Sequence, residues 1–536
     1  MPWWKNAVFY QIYPWSFIDL NGDGIGDLAG IESKLDYLES LGIDALWISP
    51  FFRSPMKDFG YDVADYRDVD PLFGSLDDFT SLLAAAKDRK IRIILDLVVN
   101  HSSDQHPWFV EARGSRSSPR HPWYLWVDDR GSAPNNWKAV FELGSAWHRN
   151  VATGERYLGT FTRHQPEFNW RNRELREAIY GVMEYWYERG VDGFRLDVAT
   201  AYIKDERLRS NPFSALPVPD FFQKHLYDRN RPEVHEIFRE MRERADRHGE
   251  RVLIAEPYGQ DAELASSCYG THDDELHLAF NFDFLLQPWN AASFRHAALR
   301  WYDALPGGAW PTLTLSNHDQ PRHFWRYRGR TEAESRARAA TAAALLLTLR
   351  GAPFLYYGEE IGMTCVRIKR RRLRDPLGLK TWPLAHVGRD PERTPMQWDS
   401  GPQAGFTRAG TSWLPVNPDH DRKNVELQRA DPDSLLNWYR SLLALRRKSS
   451  LLRCGGIRFL ELDPRLLAFE RLPDGACREE GSVRVLLNFG SREIRLPDQP
   501  GGRVLLGSRR ESGAALDPGV LTLGSYETLI LDVAGP

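Results

Sequence analysis

The chain has 536 residues, of which 42% are hydrophobic and 27% are charged, and its formal net charge at pH 7 is −3. These proportions are typical of a soluble globular protein, and the small net charge gives no overall field that would favour nucleic acid or an anionic membrane. No stretch of the sequence approaches the apolar length of a membrane span. We therefore expect neither a nucleic-acid partner nor a membrane partner.

The cysteines and the first residues indicate where the protein is expected to work. The four cysteines are widely separated and form no CxxC pair or Cys/His metal spacing, which favours free thiols in a reducing compartment. They are Cys268, Cys365, Cys454 and Cys477. The opening MPWWKNAVFYQIYP has one lysine and no long apolar run, unlike a signal peptide. The predicted location is cytoplasmic.

Short β-rich runs alternate with helical patterns along most of the chain. The predicted strands are 7–14, 45–52, 92–99, 192–199, 252–258, 277–284, 312–319 and 352–360. The predicted helices between them include 30–42, 76–90, 173–190, 233–249 and 333–351, and a further helix at 434–449 closes the set. Eight units of a strand followed by a helix predict a (β/α)₈ TIM barrel.

The regular alternation is interrupted in two places and then ends. Residues 101–170 are too long for a plain loop after the third strand, and we predict a small inserted domain B there. A second insert, 364–430, follows the eighth strand. Residues 455–536 change to alternating apolar positions with Gly, Pro and Asp turns, which predict a β-sandwich domain. The catalytic barrel would then comprise residues 1–100 and 171–454.

Charged and polar side chains stand at the carboxyl ends of four predicted strands, where TIM barrels carry their active sites. They are Asp96, Asn100 and His101 on the third strand, Arg195 and Asp197 on the fourth, Glu256 on the fifth, and Asn317, His318 and Asp319 on the seventh. Any one of them alone is more often a cap or a satisfied core group than a catalytic residue. Their joint placement is much harder to explain in that way.

Paired carboxylates at one barrel mouth suggest glycoside hydrolysis. A nucleophile and a proton donor about 5–5.5 Å apart give retention of configuration. Arg195 shares a strand face with Asp197, and its charge is expected to keep Asp197 ionised. Glu256 lies among apolar residues, where desolvation would favour the protonated form that a general acid needs.

Several motifs carry a family resemblance that covers essentially the whole chain. DLVVNH (96–101), GFRLD (193–197), AE (255–256) and SNHD (316–319) resemble the four short conserved regions of the α-amylase family, glycoside hydrolase family 13. QIYPWSF, FGYDVADY (59–66), QPEFNW (165–170) and RTPMQWD (393–399) resemble the α-glucosidase and oligo-1,6-glucosidase branch. FQKHLYDRNRPEVHE (222–236) resembles bacterial α-glucosidases with strong transglucosylation.

The resemblance implies a role for each matching position. Asp197 would be the nucleophile, Glu256 the acid/base and Asp319 the carboxylate that stabilises the transition state. The implied substrate-binding residues are Asp58, Tyr61, His101, Phe141, Phe161, Gln165, Arg195, His318 and Arg389, with Arg393 as the alternative to Arg389. A pocket closed by these residues would remove single glucose units from small α-glucosides, with water, sugars or other alcohols as acceptors. No organic cofactor is expected, and the protein would be a monomer or a homodimer.

The segment DLNGDGIGD (19–27) has the spacing of oxygen ligands in a Ca²⁺ loop, with Gly24 at the bend. The side chains concerned are Asp19, Asn21, Asp23 and Asp27. An Asx-rich turn without metal is the alternative interpretation. The family resemblance supports a structural Ca²⁺ or Mg²⁺ ion, with the backbone carbonyl of Ile25 as a further ligand.

Two features bear on specificity. In relatives, Val at the position of Val198 goes with α-1,6 linkages, whereas Ala or Thr goes with α-1,4. The basic run 366–375, VRIKRRRLRD, is interpreted as a solvated rim of the active site rather than a nucleic-acid surface.

Two other classes of protein share these motifs. Sucrose isomerases and trehalose synthases differ from the hydrolases in how well they exclude water, so they remain an alternative. Amino-acid-transporter heavy chains use the same barrel but carry a membrane span and usually lack the three acids, so this chain does not match them.

Overall fold

The computed structural model describes residues 1–216, 221–383, 388–475, 477 and 479–533. Its centre is a parallel sheet of eight strands. These are β1 (Phe9–Ile12), β2 (Ala45–Ile48), β3 (Arg92–Leu97), β4 (Gly193–Leu196), β5 (Val252–Ala255), β6 (Leu278–Ala279), β7 (Thr312–Thr314) and β8 (Ala352–Tyr356). The hydrogen-bonded order is β6-β5-β4-β3-β2-β1-β8-β7, and Thr312 Oγ1 donates to the Ala279 carbonyl oxygen over 2.5 Å between the two end strands. The predicted (β/α)₈ fold is confirmed, with strands shorter than the sequence suggested.

The strands are buried on both faces, as parallel sheets require. In β3, Ile94 packs into the barrel interior, whereas Ile93 and Leu95 pack into the layer beneath the helices. Each fully buried aliphatic side chain of this kind contributes about 1.5–3 kcal/mol. The same alternation leaves the carboxyl end of each strand as the place where a polar side chain can reach the mouth.

The predicted helix 30–42 is interrupted at Lys34, whose φ of −109° and ψ of 8° end one helix and begin the next. The helices are Trp3–Asn6, Pro14–Phe17, Leu28–Ser33, Leu35–Leu41, Leu76–Asp88, Pro107–Ala112, Arg173–Glu188, Val234–Arg247, Ala262–Ser267, Phe282–Leu285, Ala291–Ala304, His323–Arg326, Glu332–Thr348, Pro376–Thr381, Val425–Ala430, Leu435–Lys448 and Ser450–Cys454. Short 3₁₀ turns occupy His121–Trp123, Ala199–Ala201, Arg370–Arg372, Asp390–Glu392 and Pro402–Gly405. None of the helices in the described segments is both long enough and apolar enough to cross a bilayer.

The segment between β3 and the helix Arg173–Glu188 contains a small antiparallel sheet of three strands. The strands are Trp126–Asp128, Trp147–Asn150 and Glu155–Leu158, in the order first, third, second. Phe141 and Phe161 of this segment pack against Val198, which follows the end of β4. The segment therefore covers part of the barrel mouth.

The C-terminal part of the chain forms two antiparallel sheets. Its strands are β9 (Gly456–Leu460), β10 (Leu466–Leu472), β11 (Ser482–Asn488), β12 (Ile494–Gln499), β13 (Gly502–Gly507), β14 (Ala515–Leu516), β15 (Gly519–Leu523) and β16 (Thr528–Val533). The large sheet has the order β9-β10-β11-β16-β13-β14, and β12 pairs with β15. Leu486 from the large sheet packs with Leu496 and Leu523 from the small one. Of the predicted segment 455–536, residues 476, 478 and 534–536 lie outside the described residues.

A buried arginine anchors the C-terminal sheets to the barrel. Arg471, in β10, donates to the carbonyl oxygens of Thr348 and Leu452, each over 2.8 Å. Thr348 is the last residue of a barrel helix, so the cation lies at the negative end of the helix dipole. An aromatic contact adds to this, because the rings of Trp289 and Phe489 lie 4.4 Å apart.

Candidate active site

Four barrel strands deliver the charged side chains that the sequence analysis singled out. Asp96 lies in β3 and Arg195 in β4, whereas Asp197 follows the end of β4. Glu256 directly follows β5, and Asp319 lies in the loop after β7. All five therefore belong to the carboxyl end of the barrel, where parallel strands bring distant parts of the chain together.

The chain turns sharply after Asp197. Val198 adopts φ 38° and ψ 43°, in the left-handed region that β-branched residues rarely occupy. The predicted strand 192–199 therefore ends at Leu196, and the backbone N–H of Val198 donates to Glu256 Oε2 over 3.0 Å. This strained turn holds the residue after Asp197 against the carboxyl group of Glu256.

One buried guanidinium contacts three carboxyl groups. Arg195 Nη1 donates to Asp96 Oδ1 and to Asp197 Oδ1, each over 2.7 Å. Nη2 of the same arginine lies 2.6 Å from Glu256 Oε2. The Arg195 side chain is 2% exposed, whereas 9% of Asp197 and 12% of Glu256 remain accessible. Asp197 and Glu256 are therefore neighbours that share one positive charge, and both remain partly accessible.

Burial and the charge of Arg195 act in opposite directions on the pKa values of Asp197 and Glu256. Burial raises the pKa of Asp197 and of Glu256 above the usual carboxyl range, although Arg195 acts in the opposite direction. The negative charges of Glu256 and Asp96 raise the pKa of Asp197 further. Arg195 acts in the expected direction, but its charge is divided among three partners and burial outweighs it, so the net shift of the pKa is upward. A single guanidinium leaves room for a retained proton within the set.

Asp319 lies in a different electrostatic environment. Arg393 Nη2 donates to its Oδ1 over 2.7 Å, and Arg389 Nη1 lies 3.6 Å from the same oxygen. His318 Nε2 lies 3.2 Å from Oδ2. Burial acts to raise the pKa of this carboxyl group, but contact with His318, Arg393 and Arg389 holds it well below the usual range. Asp319 is thus ionised at neutral pH, and both arginines that the sequence offered as alternatives reach it.

Arg389 is itself held by two further carboxylates. Its Nη2 donates to Asp58 Oδ1 over 2.7 Å, and its Nε donates to Asp375 Oδ1 over 2.9 Å. Asp375 was not predicted as a site residue, because an acid at the end of the basic run 366–375 was interpreted as part of a solvated rim. The Asp-Pro pair was the available signal, since it is typical of a helix start, and Asp375 caps the helix Pro376–Thr381.

Tyr61 connects the two groups of charges. Its hydroxyl donates to Asp96 Oδ2 over 3.1 Å and lies 2.6 Å from His318 Nε2. The Tyr61 ring stacks on His318, with centroids 5.4 Å apart and 3° between the planes. Gln11 Nε2 contacts the other ring nitrogen of His318 at 2.8 Å. Burial lowers the pKa of His318 well below its usual value, so this imidazole is neutral at pH 7.

His101 and Gln165 form a second buried network beside Asp58. Gln165 Nε2 donates to Asp58 Oδ2 over 3.1 Å and lies 3.1 Å from His101 Nε2. The same nitrogen of His101 lies 2.9 Å from the carbonyl oxygen of Tyr61. Burial lowers the pKa of His101, so the neutral form of its imidazole ring is favoured. These residues fix the segment that carries Asp58 and Tyr61.

An apolar patch lies beside this charged pocket. Phe141, Phe161, Val198 and Leu377 form one buried cluster. The guanidinium carbon of Arg389 lies 4.2 Å from the centre of the Phe141 ring, a cation–π distance. All nine substrate-binding residues named from the sequence are thus placed at the barrel mouth, and Phe141 links the apolar patch to the charged pocket.

The predicted metal loop is stabilised by its own side chains. The carboxylate of Asp19 accepts two backbone N–H groups of the loop, and that of Asp27 accepts three. Asn21 Oδ1 and Asp23 Oδ1 each accept the N–H group two residues further on, as in Asx turns. Within the described ranges, no three Asp, Glu, His or Cys side chains are grouped to hold a metal ion. A cation here would also need Asn21 and the Ile25 carbonyl as ligands.

Paired carboxyl groups at the mouth of a (β/α)₈ barrel are the arrangement of a glycoside hydrolase. The model of the alpha-amylase catalytic domain matches residues 11–455, and the chain belongs to the alpha-amylase family. The resemblance found in the sequence motifs is thus confirmed.

Curated relatives cover most of the chain. A probable alpha-glucosidase of Rhizobium meliloti (strain 1021) is 43% identical over 489 residues, which are 88% of this chain and 87% of the relative. An oligo-1,6-glucosidase of Parageobacillus thermoglucosidasius is 38% identical over 534 residues, 92% of each chain.

Solved structures match the whole fold. The alpha-glucosyl transfer enzyme XgtA superimposes with a TM-score of 0.92 at 37% identity, over 99% of this chain and 100% of that one. The isomaltulose synthase of Klebsiella sp. LX3 superimposes with a TM-score of 0.91 at 32% identity and the same coverage.

Proposed function

We propose that this protein is a retaining, exo-acting α-glucosidase that releases or transfers single glucose units from the non-reducing end of small α-glucosides. Maltose, sucrose and isomaltose represent the substrate class. The observation that carries the proposal is the placement of the Arg195 guanidinium between Asp197 and Glu256. Carboxyl groups that share one guanidinium can act on the same anomeric carbon, whereas inverting enzymes need room for a water molecule between theirs.

Glu256 is assigned as the acid and base. Its Oε2 is occupied by Arg195 and by the N–H of Val198, so the catalytic proton belongs on Oε1. Burial favours this protonated form by raising the pKa of Glu256. In the first step the Oε1 proton passes to the glycosidic oxygen as the bond to the leaving group breaks.

Asp197 is assigned as the nucleophile. Arg195 fixes its Oδ1, which leaves Oδ2 to attack the anomeric carbon and form a glycosyl-enzyme. When Glu256 holds the proton, the positive charge of Arg195 stabilises the ionised forms of Asp197 and Asp96. Asp96 is closed off by the Tyr61 hydroxyl and is fully buried, so Asp197 is the carboxylate that meets the substrate.

The second step returns the proton. Glu256 takes a proton from water, and the resulting hydroxyl group attacks the anomeric carbon and releases Asp197. When a sugar or another alcohol replaces water, the product is a transferred glucoside. Asp319 remains ionised throughout, so it can accept hydrogen bonds from ring hydroxyls and stabilise the positive charge of the transition state.

The exo mode rests on the ion pair between Asp58 and Arg389, 2.7 Å apart. Asp375 holds the other edge of the same guanidinium, which leaves Arg389 little freedom to move. These groups would close the pocket at the non-reducing end and bind the terminal hydroxyls of one glucose ring. Longer chains could then enter only by their last residue.

The stereochemistry of the first product tests this proposal directly. Proton NMR during hydrolysis of p-nitrophenyl α-glucoside should detect α-glucose first, followed by slow mutarotation to the equilibrium mixture. Early β-glucose would contradict the retaining mechanism. Asp197→Ala should abolish turnover while circular dichroism shows an unchanged fold.

A glucosyl-rearranging isomerase remains the second candidate. Isomaltulose synthase, with a TM-score of 0.91, and trehalulose synthase MutB, with a TM-score of 0.89, share this architecture. The sucrose isomerase or trehalose synthase alternative predicts mainly a rearranged disaccharide as the product. Chromatography of products from maltose, isomaltose, sucrose and trehalose separates the alternatives, because a hydrolase releases glucose from its preferred substrate.

A structural Ca²⁺ or Mg²⁺ ion at residues 19–27 is part of the proposal. Its ligands would be Asp19, Asn21, Asp23, the Ile25 carbonyl and Asp27, all of them the oxygen donors that hard cations prefer. Chelation with EDTA should lower the unfolding temperature, and added Ca²⁺ should restore it, because a bound ion at about 100 times its Kd adds about 2.7 kcal/mol of stability. An unchanged unfolding temperature would contradict a bound ion.

The remaining predictions concern the cellular location, the oligomeric state and the cofactor requirement. We place the protein in the cytoplasm, which is supported by the lack of any disulfide among its four cysteines. It is expected to act as a monomer or homodimer, without an organic cofactor, and fractionation of the host cell with sizing of the purified enzyme would test both points.

A further inference from the structure

A second pocket lies at the opposite end of the barrel from the catalytic carboxyl groups. Its volume is about 260 Å³, and Val8, Asp44 and Arg92 line it at the amino ends of β1, β2 and β3. The helices Leu435–Lys448 and Ser450–Cys454 contribute one side of the wall, and Trp3 and Lys90 belong to the remainder. None of the residues assigned to the active site belongs to its lining.

Positive charge dominates this lining. Its five cations are Lys90, Arg92, Arg446, Arg447 and Arg453, and we call the site they form the cationic pocket. Asp44 is the one acidic residue among the lining side chains. The chain as a whole has a net charge of −3, so this concentration of cations is local and does not reflect the composition.

Two of the cations already have carboxylate partners. Arg92 Nη1 bonds to Asp192 Oδ1 over 2.8 Å, and Arg447 Nη2 lies 3.7 Å from Asp44 Oδ1. The other oxygen of Asp44 accepts the backbone N–H of Val8. The single acid of the lining is therefore in use, and it cannot neutralise the remaining cations.

Arg446 carries a buried charge with no carboxylate in direct contact, although the charge of Asp44 acts to raise its pKa. The residue is 1% exposed, and its guanidinium donates to the carbonyl oxygens of Leu347, Gly351 and Leu452. Its Nε has no hydrogen-bond partner in the part of the chain that the structure describes. Burial lowers the pKa of Arg446 to about 10, because neutral carbonyl groups compensate the lost hydration only in part.

Arg453 and Lys90 are hydrated rather than paired, because Lys90 is exposed and Arg453 is partly exposed. Among the described residues, neither side chain makes an ion pair or a hydrogen bond, and the Nε of Arg453 is buried. Like charges gathered in a concave site repel one another and raise the local concentration of anions. The lining thus has an excess of positive charge, which an anionic ligand could neutralise.

We propose that the cationic pocket binds a small phosphate-bearing anion. A phosphate group carries up to two negative charges and several acceptor oxygens, which match guanidinium and ammonium donors that converge from different elements. The volume suits a compact molecule rather than a polymer. Trp3 and Leu443 add apolar wall, against which the carbon part of a phosphate monoester can pack. A neutral sugar would leave the cations uncompensated.

Calorimetric titration at fixed ionic strength tests the proposal. Inorganic phosphate and glycerol 3-phosphate are the probes, and glycerol is the neutral control. Saturable binding of either phosphate, without binding of glycerol, is expected. Tighter binding of glycerol 3-phosphate than of inorganic phosphate would show that the apolar wall contacts the carbon part of the ester. Equal binding would show that the pocket recognises the phosphate group alone. Both results support the phosphate site.

Matched variants localise the binding. Arg453→Gln should weaken it about tenfold, the effect of one charge-assisted hydrogen bond. Lys90→Asn is the second variant, because Lys90 has φ 59° and Asn tolerates that conformation. Arg495→Gln, an exposed charge on β12, is the control for a general charge effect.

The turnover of p-nitrophenyl α-glucoside should be unchanged in all three variants, which shows that each one folds. Absence of phosphate binding, or equal weakening in Arg495→Gln and Arg453→Gln, would overturn the proposal. The result does not depend on the assignment of the catalytic residues, since the titration measures binding alone.

Discussion

Two groups of charged residues at the barrel mouth differ in their ratio of arginines to carboxyl groups. The Arg195 group comprises Arg195, Asp96, Asp197 and Glu256, and the Arg389 group comprises Arg389, Arg393, Asp58, Asp319 and Asp375. In the first group the pKa of Asp197 and of Glu256 is raised by burial. In the second, His318, Arg393 and Arg389 together hold the pKa of Asp319 low.

The comparison shows how one pocket can contain both mobile protons and a fixed charge. With one arginine for three acids, burial prevails and the pKa of Asp197 and of Glu256 is raised, which favours the retention of a proton. With two arginines for three acids, the charges of the partners prevail and the carboxylate stays ionised. The ratio of partners, rather than the type of residue, separates a proton-transferring acid from a permanent anion.

The largest effect is expected from removing the nucleophile of the Arg195 group. Asp197→Asn should lower kcat on p-nitrophenyl α-glucoside by at least about 10,000-fold, because an amide cannot form the glycosyl-enzyme. Asp303→Asn is the control, since Asp303 lies exposed on a barrel helix far from the mouth. Substantial activity in Asp197→Asn would exclude the assignment and with it the role given to the Arg195 group.

The next effect tests how the two groups influence each other. The negative charge of Asp319 raises the pKa of Glu256. Asp319→Asn should therefore lower that pKa, so Glu256 loses its proton at a lower pH. We expect the alkaline limb of kcat/KM to move to lower pH, together with a loss of about 1,000-fold in kcat/KM. An alkaline limb that stays in place or moves to higher pH would show that Asp319 does not raise the pKa of Glu256.

A smaller effect is expected within the Arg389 group. Asp375→Asn removes a buried carboxylate from Arg389 without touching the substrate, so KM for maltose should rise about tenfold while kcat changes less. Arg374→Gln alters the exposed neighbour and should leave both constants near their original values. Equal changes in the two variants would show that Asp375 does not position Arg389.

The smallest effect leaves both charged groups intact. Val198→Thr replaces one methyl of the apolar patch by a hydroxyl, at nearly constant volume. The ratio of kcat/KM on isomaltose to kcat/KM on maltose should fall by up to about tenfold, since one small group in a hydrophobic pocket discriminates only modestly. A ratio that is unchanged, or that rises, would remove Val198 from the determinants of linkage preference.

Much of the fold could be predicted because its signals are local. Alternating β-rich and helical patterns located all eight barrel strands, and polar residues at the strand ends located Asp197, Glu256 and Asp319. The limits of the inserted segment 101–170 and of the C-terminal segment 455–536 remain predictions, although each contains antiparallel sheet of its own.

What could not be predicted depends on contacts between distant parts of the chain. The left-handed turn at Val198 occurs inside an apolar run that reads as continuous strand, and it is stabilised by the carboxyl group of Glu256. The role of Asp375 depends on Arg389 folding back onto it. The protonation of Asp197 depends on how many acids share Arg195, which no sequence spacing reveals.

Arg471 affects how the protein unfolds. From β10 of the C-terminal sheet, its side chain caps the C-terminal end of a barrel helix. The barrel and the sheet therefore cannot separate without leaving carbonyl groups unsatisfied. Barrel and sheet should melt together as a single cooperative unit, and a shortened chain that stops before β10 would lose this seal.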